Sequence, residues 1–260
     1  MTAPSKVMQG KILWRLASFA VAAGLILVWQ MVANAQFVSP IFLPGPDKAW
    51  AALVNGFANR GLGDKLMGTI RHMTFGWFAA SIAAVVLGSL IGTSRRARLY
   101  VAPGLEFLRP LPVSAIIPVA IALYGLSESM AIFVIAFGTL WPMLLATIHG
   151  YGGVEPRLLE VAQALNLSRL KTITSISLPS ALPDILAGMR VSLTVALILS
   201  VVCEMVAGLD GLGQWILVSA RMFRAPDLFA GVILLGALGY VAATLIGEVE
   251  RRLLAWRPTR

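Results

Sequence analysis

Five long windows of this chain contain no Asp, Glu, Lys or Arg: residues 16–46, 72–94, 110–127, 129–154 and 228–247, with 191–203 a shorter sixth. A helix that crosses a bilayer needs about 20 mostly apolar residues, because each adds ~1.5 Å against a hydrocarbon core of ~30 Å. The five windows reach or approach that length, and the sixth does so once Arg190 or Glu204 is taken into the span. Only 13% of the 260 residues are charged and 58% are hydrophobic, where a soluble domain has roughly a quarter charged. The chain is therefore expected to be an all-α polytopic membrane protein with six spans. Our reading places them at about 13–34, 66–93, 101–125, 129–150, 185–207 and 227–249.

The net charge of +9 raises the question of nucleic-acid binding. Placement argues against it. Lys6, Lys11 and Arg15 precede the first window; Arg95, Arg96 and Arg98 follow the second; Arg157, Arg169 and Lys171 follow the fourth; Arg251, Arg252, Arg257 and Arg260 follow the last. The alternate loops hold only Lys48, Arg60, Lys65, Arg221 and Arg224. Positive residues concentrate on the cytoplasmic side of membrane proteins, so both termini are expected there. Arg15, an apolar run and Ala33-Asn34-Ala35 also resemble a signal peptide. The run from Leu16 to Val32 is longer than a typical signal core of 7–15 residues, which favours an uncleaved first span. Cys203 is the single cysteine, which excludes an internal disulfide or a cysteine-based metal cluster.

Between the first two spans, about 36–65, a Pro/Gly cluster is followed by an amphipathic stretch (Trp50, Leu53, Val54, Phe57) that suits a short interfacial helix on the outer surface. Gly88 and Gly92 form a GxxxG pair, which lets a neighbouring helix approach closely. Span three carries Pro110, Pro112 and Pro118 in a short stretch after Arg109. Each proline removes a backbone donor and kinks a helix, and freed carbonyls are tolerated in a bilayer only beside protein or a wet cavity. Such a helix either lines a pathway or is merely kinked. No internal repeat or second domain is evident, so residues 1–260 read as one transmembrane domain.

A polar segment at about 152–184 interrupts the apolar runs. Glu155–Leu165 has a helical composition, Asn166 suits the left-handed residue that ends a helix, and Ser168 suits the cap of the next, which opens with Arg169. Pro179 and Pro183 are expected to stop the segment before span five. Two short helices meeting at a tight corner form a knob, where an ordinary amphipathic loop would need no such caps.

Glu160-Val-Ala162, Leu165, Ser168, Leu178-Pro179-Ser-Ala181-Leu-Pro183-Asp-Ile185 and Gly188 resemble the EAA loop of ABC importer permeases, with Asn166 where that family usually has glycine. Phe42-Leu-Pro44-Gly-Pro46, the stretch Leu108–Pro118, Leu123–Glu128 and Glu204-Met-Val-Ala207 with Gly211-Leu-Gly213 are similar to motifs of the taurine, sulfonate and nitrate branch. Ile116 and Ser127 depart from that branch, which has Trp and Gly there. The resemblance implies a type I importer permease of six spans in a bacterial inner membrane, commonly a homodimer. It would work with a pair of cytoplasmic ATP-binding subunits and an extracytoplasmic solute-binding protein. ATP and Mg would belong to the partner, and the chain agrees in having no G-x-x-x-x-G-K-[ST] loop.

The docking residues implied are Glu160, Ala162, Leu165, Asn166, Leu167, Ser168 and Arg169, with Glu160 the charged anchor and Leu165 and Leu167 apolar contacts. The pathway or gate residues are Arg109, Pro110, Pro112, Ser114, Ile116, Pro118 and Glu204. Glu204 lies ~28 Å along span five from Ile185 at ~1.5 Å per residue, so it is read as a gate or a helix–helix contact in the outer half. Arg190 is read as snorkelling to the interface. Arg71 and Arg109 could attract an anionic solute or contact lipid and loops. His72 and His149 read as packing residues, neither with an obvious partner. The implied cargo is a small anion such as taurine, another sulfonate or nitrate, with an aromatic carboxylate or vitamin precursor as the alternative. A secondary transporter would show paired broken helices in its two halves, and an intramembrane protease a catalytic pair within spans. Neither pattern is visible.

Overall fold

The computed structural model describes the backbone of residues 4–108 and 111–256, with side chains from residue 17 onward. Among the described residues the regular structure is helical, with no strand. The chain forms two compact units, Met1–Gly63 with Trp215–Ile233 and Asp64–Gln214 with Leu234–Arg260.

The first unit contains α1 (Pro4–Asn34) and α2 (Pro46–Asn59). Pro46 sits in the first turn of α2, where its missing N–H has no intrahelical partner to lose, and Asp47 favours the positive helix end. The Trp29 indole donates to the Pro44 carbonyl at 3.0 Å, and its ring lies 5.5 Å from that of Phe229. Arg60 pairs with the buried Asp227 at 2.5 Å, and the Trp215 indole donates to the Asp227 carbonyl at 2.9 Å. Trp50, Val54 and Phe57 stay exposed on α2. Leu53, the fourth apolar residue of that stretch, is half-buried.

The second unit is built on α3 (Leu62–Gly92), α6 (Glu128–Gly152) and α9 (Leu178–Ala207). α3 presents a small residue every fourth position, at Gly76, Ala80, Ala84, Gly88 and Gly92. A Cβ on Gly76 would lie 2.5 Å from Ile135, one on Gly88 2.6 Å from Thr147, and one on Gly92 2.6 Å from Tyr151. The constant offset means that α3 and α6 run parallel in close approach. The GxxxG pair is thus one part of a longer packing stripe. α9 runs antiparallel to α6: Gly150 meets Ala181, Gly188 meets Ala146 and Gly138 meets Leu199. Contacts of this kind hold spans together where lipid tails are as apolar as the side chains and burial alone gives little drive.

Three expectations change. The predicted single span at 101–125 is two helices, α4 (Arg95–Leu108) and α5 (Val113–Tyr124), forming a bent pair. Pro112 biases the preceding residue away from helical geometry and itself caps α5 in extended conformation, so the helix breaks instead of kinking. Among the described residues five helices are long and apolar enough to cross a membrane, or up to six when this pair counts as one. Next, Pro179 and Pro183 do not stop the polar segment. After α7 (Pro156–Ala164) and α8 (Arg169–Thr172), a π-helical turn over Ile173–Ser177 leads directly into α9. Arg169–Ala207 is therefore one continuous helical run of 39 residues. The wider turn changes the hydrogen-bond register just before Pro179, whose missing donor falls in the first turn of α9. Finally, Arg190 does not simply snorkel: it pairs with Glu250 of α11 (Ala225–Leu253) at 2.5 Å.

Candidate functional site

The predicted docking segment folds as the local sequence dictates. α7 ends in a paired C-cap: the Asn166 N–H donates to the Gln163 carbonyl and the Leu167 N–H to the Ala162 carbonyl, both at 2.9 Å. Asn166 has φ 49°, a left-handed conformation that Asn tolerates better than other non-glycine residues. Ser168 then caps α8, its Oγ accepting from the Lys171 N–H at 3.3 Å. The corner is thus held by backbone geometry and needs no large apolar core of its own.

What the corner presents is apolar and open. Ala162 is buried and Leu167 half-buried, while Glu160, Ser168 and Arg169 are exposed. Leu165 is 66% exposed and Leu170 73%. Leu170 was not among the predicted contacts, yet it is the more exposed of the two. Its position one residue into the helix that Ser168 caps was the available signal. Val161, at 51%, widens the same apolar surface.

α9 carries Glu204 near its far end, and there the chemistry is inverted. The Glu204 side chain is fully buried. Its Oε2 accepts from the Thr69 hydroxyl at 3.0 Å and from the Gly213 N–H at 2.8 Å, and its Oε1 accepts from His72 Nδ1 at 3.1 Å. The Leu212 N–H donates to Thr69 Oγ1 at 2.8 Å. A buried carboxylate needs such compensation, since desolvation of an unpaired charge amounts to several kcal/mol or more. Gly211 and Gly213 let the chain fold over it, because a Cβ on Gly211 would collide with the carboxylate and one on Gly213 would lie 3.0 Å from Glu204 Cβ. Lys65 pairs with Asp210 beside this cluster. That hydrogen bond and the Lys65 charge hold the Asp210 carboxyl below its ordinary pKa. Glu204 is thus a contact between α3, α9 and the first turn of α10 (Leu212–Arg221). Sequence reasoning gave His72 no partner, and its partner lies 132 residues away.

Of the predicted pathway residues, Arg109 and Pro110 lie outside the described residues. Pro112 caps α5. Ile117 and Ala120 turn one face of α5 into the core, and Ser114 and Pro118 are exposed on the other, with Ile116 half-buried. Pro118 has no N–H, so the Ser114 carbonyl lacks its helical donor. Arg71 pairs with Glu128. Ser127 caps α6, its Oγ accepting from the Met130 N–H at 3.3 Å, and its φ of −140° does not call for glycine. Gly125, with φ 67°, does occupy a glycine conformation. No group of His, Cys, Asp and Glu among the described residues could hold a metal ion.

Comparison with known proteins agrees with this architecture. Residues 80–257 match the family described as binding-protein-dependent transport system inner membrane component. A Bacillus subtilis (strain 168) permease named for aliphatic sulfonates transport, SsuC, is 32% identical over 90% of this chain and 85% of its own length. The taurine transport system permease protein TauC of Escherichia coli (strain K12) is 30% identical over 92% of this chain and 89% of its own. Among solved structures, one of the MetNI methionine ABC transporter in an inward-facing conformation superposes with a TM-score of 0.65 at 19% identity, over 76% of this chain and 96% of that one, which shows the shared fold. The chain belongs to the inner membrane components of binding-protein-dependent transport systems: it is an ABC importer permease, the subunit that crosses the membrane while its ATPase partner carries the catalysis.

Proposed function

We propose that this permease passes a small anion, a sulfonate such as taurine or an inorganic anion such as nitrate, through a homodimer energised by two cytoplasmic ATP-binding subunits and supplied by an extracytoplasmic solute-binding protein. The cargo class rests on the relatives named for sulfonate and taurine transport and on a bicarbonate transport permease, CmpB of Synechococcus elongatus (strain ATCC 33912 / PCC 7942 / FACHB-805), 26% identical over 89% of the chain. Residues 1–260 act as one permease domain, with both termini in the cytoplasm and α2 at the outer interface.

The observation that carries the coupling mechanism is the capped corner and the rod it leads into. Glu160 anchors the corner in a groove of the ATPase, Leu165, Leu170 and the half-buried Leu167 fill that groove, and Ala162, Asn166, Ser168 and Arg169 set its shape and rim. ATP-driven closure of the ATPase pair then moves a continuous helix of 39 residues, ~58 Å long at ~1.5 Å per residue. Its far end bears Glu204, so force applied at the corner reaches the outer gate through one element. Closure shifts the transporter between states only as far as the partners bind one state better than the other. Ser114, Ile116 and Pro118 on the open face of α5, with Arg109, Pro110 and Pro112 leading into it, line the solute's path.

A second cargo reading has its own support. Tyr124, Phe133, Phe137 and Trp141 form a row with ring centroids 5.3, 6.5 and 5.5 Å apart, and the buried Trp141 indole N–H lacks a hydrogen-bond partner. An aromatic carboxylate offers both a ring and an acceptor. The test is reconstitution with the ATPase and binding protein, with ATP hydrolysis measured against a panel of sulfonates, nitrate, bicarbonate, aromatic carboxylates, and neutral and cationic solutes. Stimulation by the anions of the first group supports the primary reading, stimulation by aromatic carboxylates alone replaces it with the second, and stimulation by neutral or cationic solutes alone overturns both.

A further inference from the structure

Beside the docking corner lies a cleft of about 910 Å³ between the end of α3, the start of α4 and the segment α7–α8. Arg95, Arg96 and Arg98 line it from one side and Arg169 from the other, and no Asp or Glu lines it. Arg60, Lys65, Arg71, Arg190, Arg251 and Arg252 each have a carboxylate within ion-pair distance. None of the four cleft arginines has one among the described residues. The Arg98 guanidinium donates to the Gly92 carbonyl at 2.6 Å, which fixes that side chain at the wall. Four arginines thus line one concavity, Arg98 half-buried and Arg95, Arg96 and Arg169 exposed, with no carboxylate among the lining residues. α4 also starts here, capped by Ser94, whose Oγ accepts from the Ala97 N–H at 3.2 Å, and its positive helix end adds to the same potential.

We infer that this cleft is a binding site for a phosphate group carried on an organic body. The planar fork of arginine matches two phosphate oxygens at once, which makes clustered arginines phosphate receptors. The volume fits an organic ligand, since such pockets span roughly 300–1,000 Å³. Gly92 and Gly152 at its edge are the last residues of two membrane-crossing helices, so the cleft opens at headgroup depth. Val154, Leu159 and Ile173 add an apolar wall. Basic pockets at the cytoplasmic ends of spans take anionic headgroups, and an anionic phospholipid supplies phosphate, glycerol and an apolar body together. A soluble organophosphate is the other source of the same chemistry. The ligand would touch Arg169 and the first helices of the docking corner, tying their position to the end of α3. This inference rests on the cytoplasmic placement of the corner proposed above.

The test is native mass spectrometry of the purified full-length chain with its ATPase, titrated with phosphatidylglycerol, phosphatidylcholine or glycerol 3-phosphate. The wild type is expected to retain phosphatidylglycerol at least fivefold more tightly than phosphatidylcholine. Arg95→Gln with Arg96→Gln removes that preference, and Arg95→Lys with Arg96→Lys keeps most of it. Displacement of the lipid by submillimolar glycerol 3-phosphate supports the site with a soluble ligand as its occupant. Equal retention of the two lipids without glycerol 3-phosphate binding, or unchanged preference in the Gln variant, overturns it. Should the double Gln variant unfold, Arg169→Gln is measured in its place and the same outcomes apply. Retention of lipid is read without transport. A misplaced corner is detected separately, by labelling Leu170→Cys from the outer side of sealed vesicles.

Discussion

The two ends of the Arg169–Ala207 helical run solve opposite problems. At the α7–α8 corner, apolar side chains stand in the open and polar backbone groups are satisfied locally, by the caps at Asn166 and Ser168. At the Glu204 end, a carboxylate is fully enclosed and its partners come from α3 and from the first turn of α10. A surface that keeps Leu165 and Leu170 exposed while fixing its backbone is what the proposed docking on the ATPase requires. A site whose carboxylate oxygens are both occupied within the chain is shaped to hold helices together. The difference separates apolar side chains that this chain leaves open from polar ones that it encloses.

The largest expected effect lies at the enclosed end. Glu204→Ala leaves the His72, Thr69 and Gly213 donors without their acceptor, at roughly 1–3 kcal/mol for each buried group left unpaired. The unfolding midpoint in detergent should fall sharply, and an unchanged midpoint would erase the contrast between the two ends. Gly88→Val tests the α3–α6 approach on which that end depends. Its Cβ meets Thr147 at 2.6 Å, and overpacking of this kind costs about 1–3 kcal/mol. At the corner, Asn166→Val forces a β-branched residue into a left-handed conformation at about 1–2 kcal/mol, whereas Asn166→Gly keeps stability. Equal thermal midpoints for these two variants would contradict the cap.

Glu160→Arg and Leu170→Ser should leave stability within ~0.5 kcal/mol, as surface changes usually do, while abolishing or strongly reducing solute-stimulated ATP hydrolysis. Unchanged coupling in Glu160→Arg removes that residue from the mechanism. The smallest effect concerns Asp210. Its lowered pKa means that its stabilising interaction with Lys65 is present above the ordinary carboxylate range and is lost as the pH falls through its folded-state value. Asp210→Asn should flatten the acid limb of a stability–pH curve slightly, with a small loss near neutrality and no change at low pH, where Asp210 is itself neutral.

How much of this could be read from the chain follows the range of each interaction. The spans were legible because the bilayer imposes long charge-free windows. The corner was legible because Asn166 and Ser168 act on residues within five positions. Gly88 and Gly92 announced a packing face, though not the full stripe from Gly76 or its partner α6. The break at Pro112 was read as a kink, since proline's effect depends on whether neighbours hold the two halves in line. The passage through Pro179 was hidden for a related reason, because a π-helical turn at Ile173–Ser177 has no residue signature of its own. His72 and Arg190 were misjudged because their partners, Glu204 and Glu250, are distant in sequence. Leu170 was overlooked because exposure of one leucine among many depends on how α8 is oriented.

The most direct test of the account is the reactivity of a thiol at the corner. Leu170→Cys is introduced with Cys203→Ala, and maleimide labelling is followed for the permease alone and with its ATPase bound. Rapid labelling alone and strong protection in the complex is the predicted result. Equal labelling rates in the two states would mean that the exposed apolar corner is not where the partner sits.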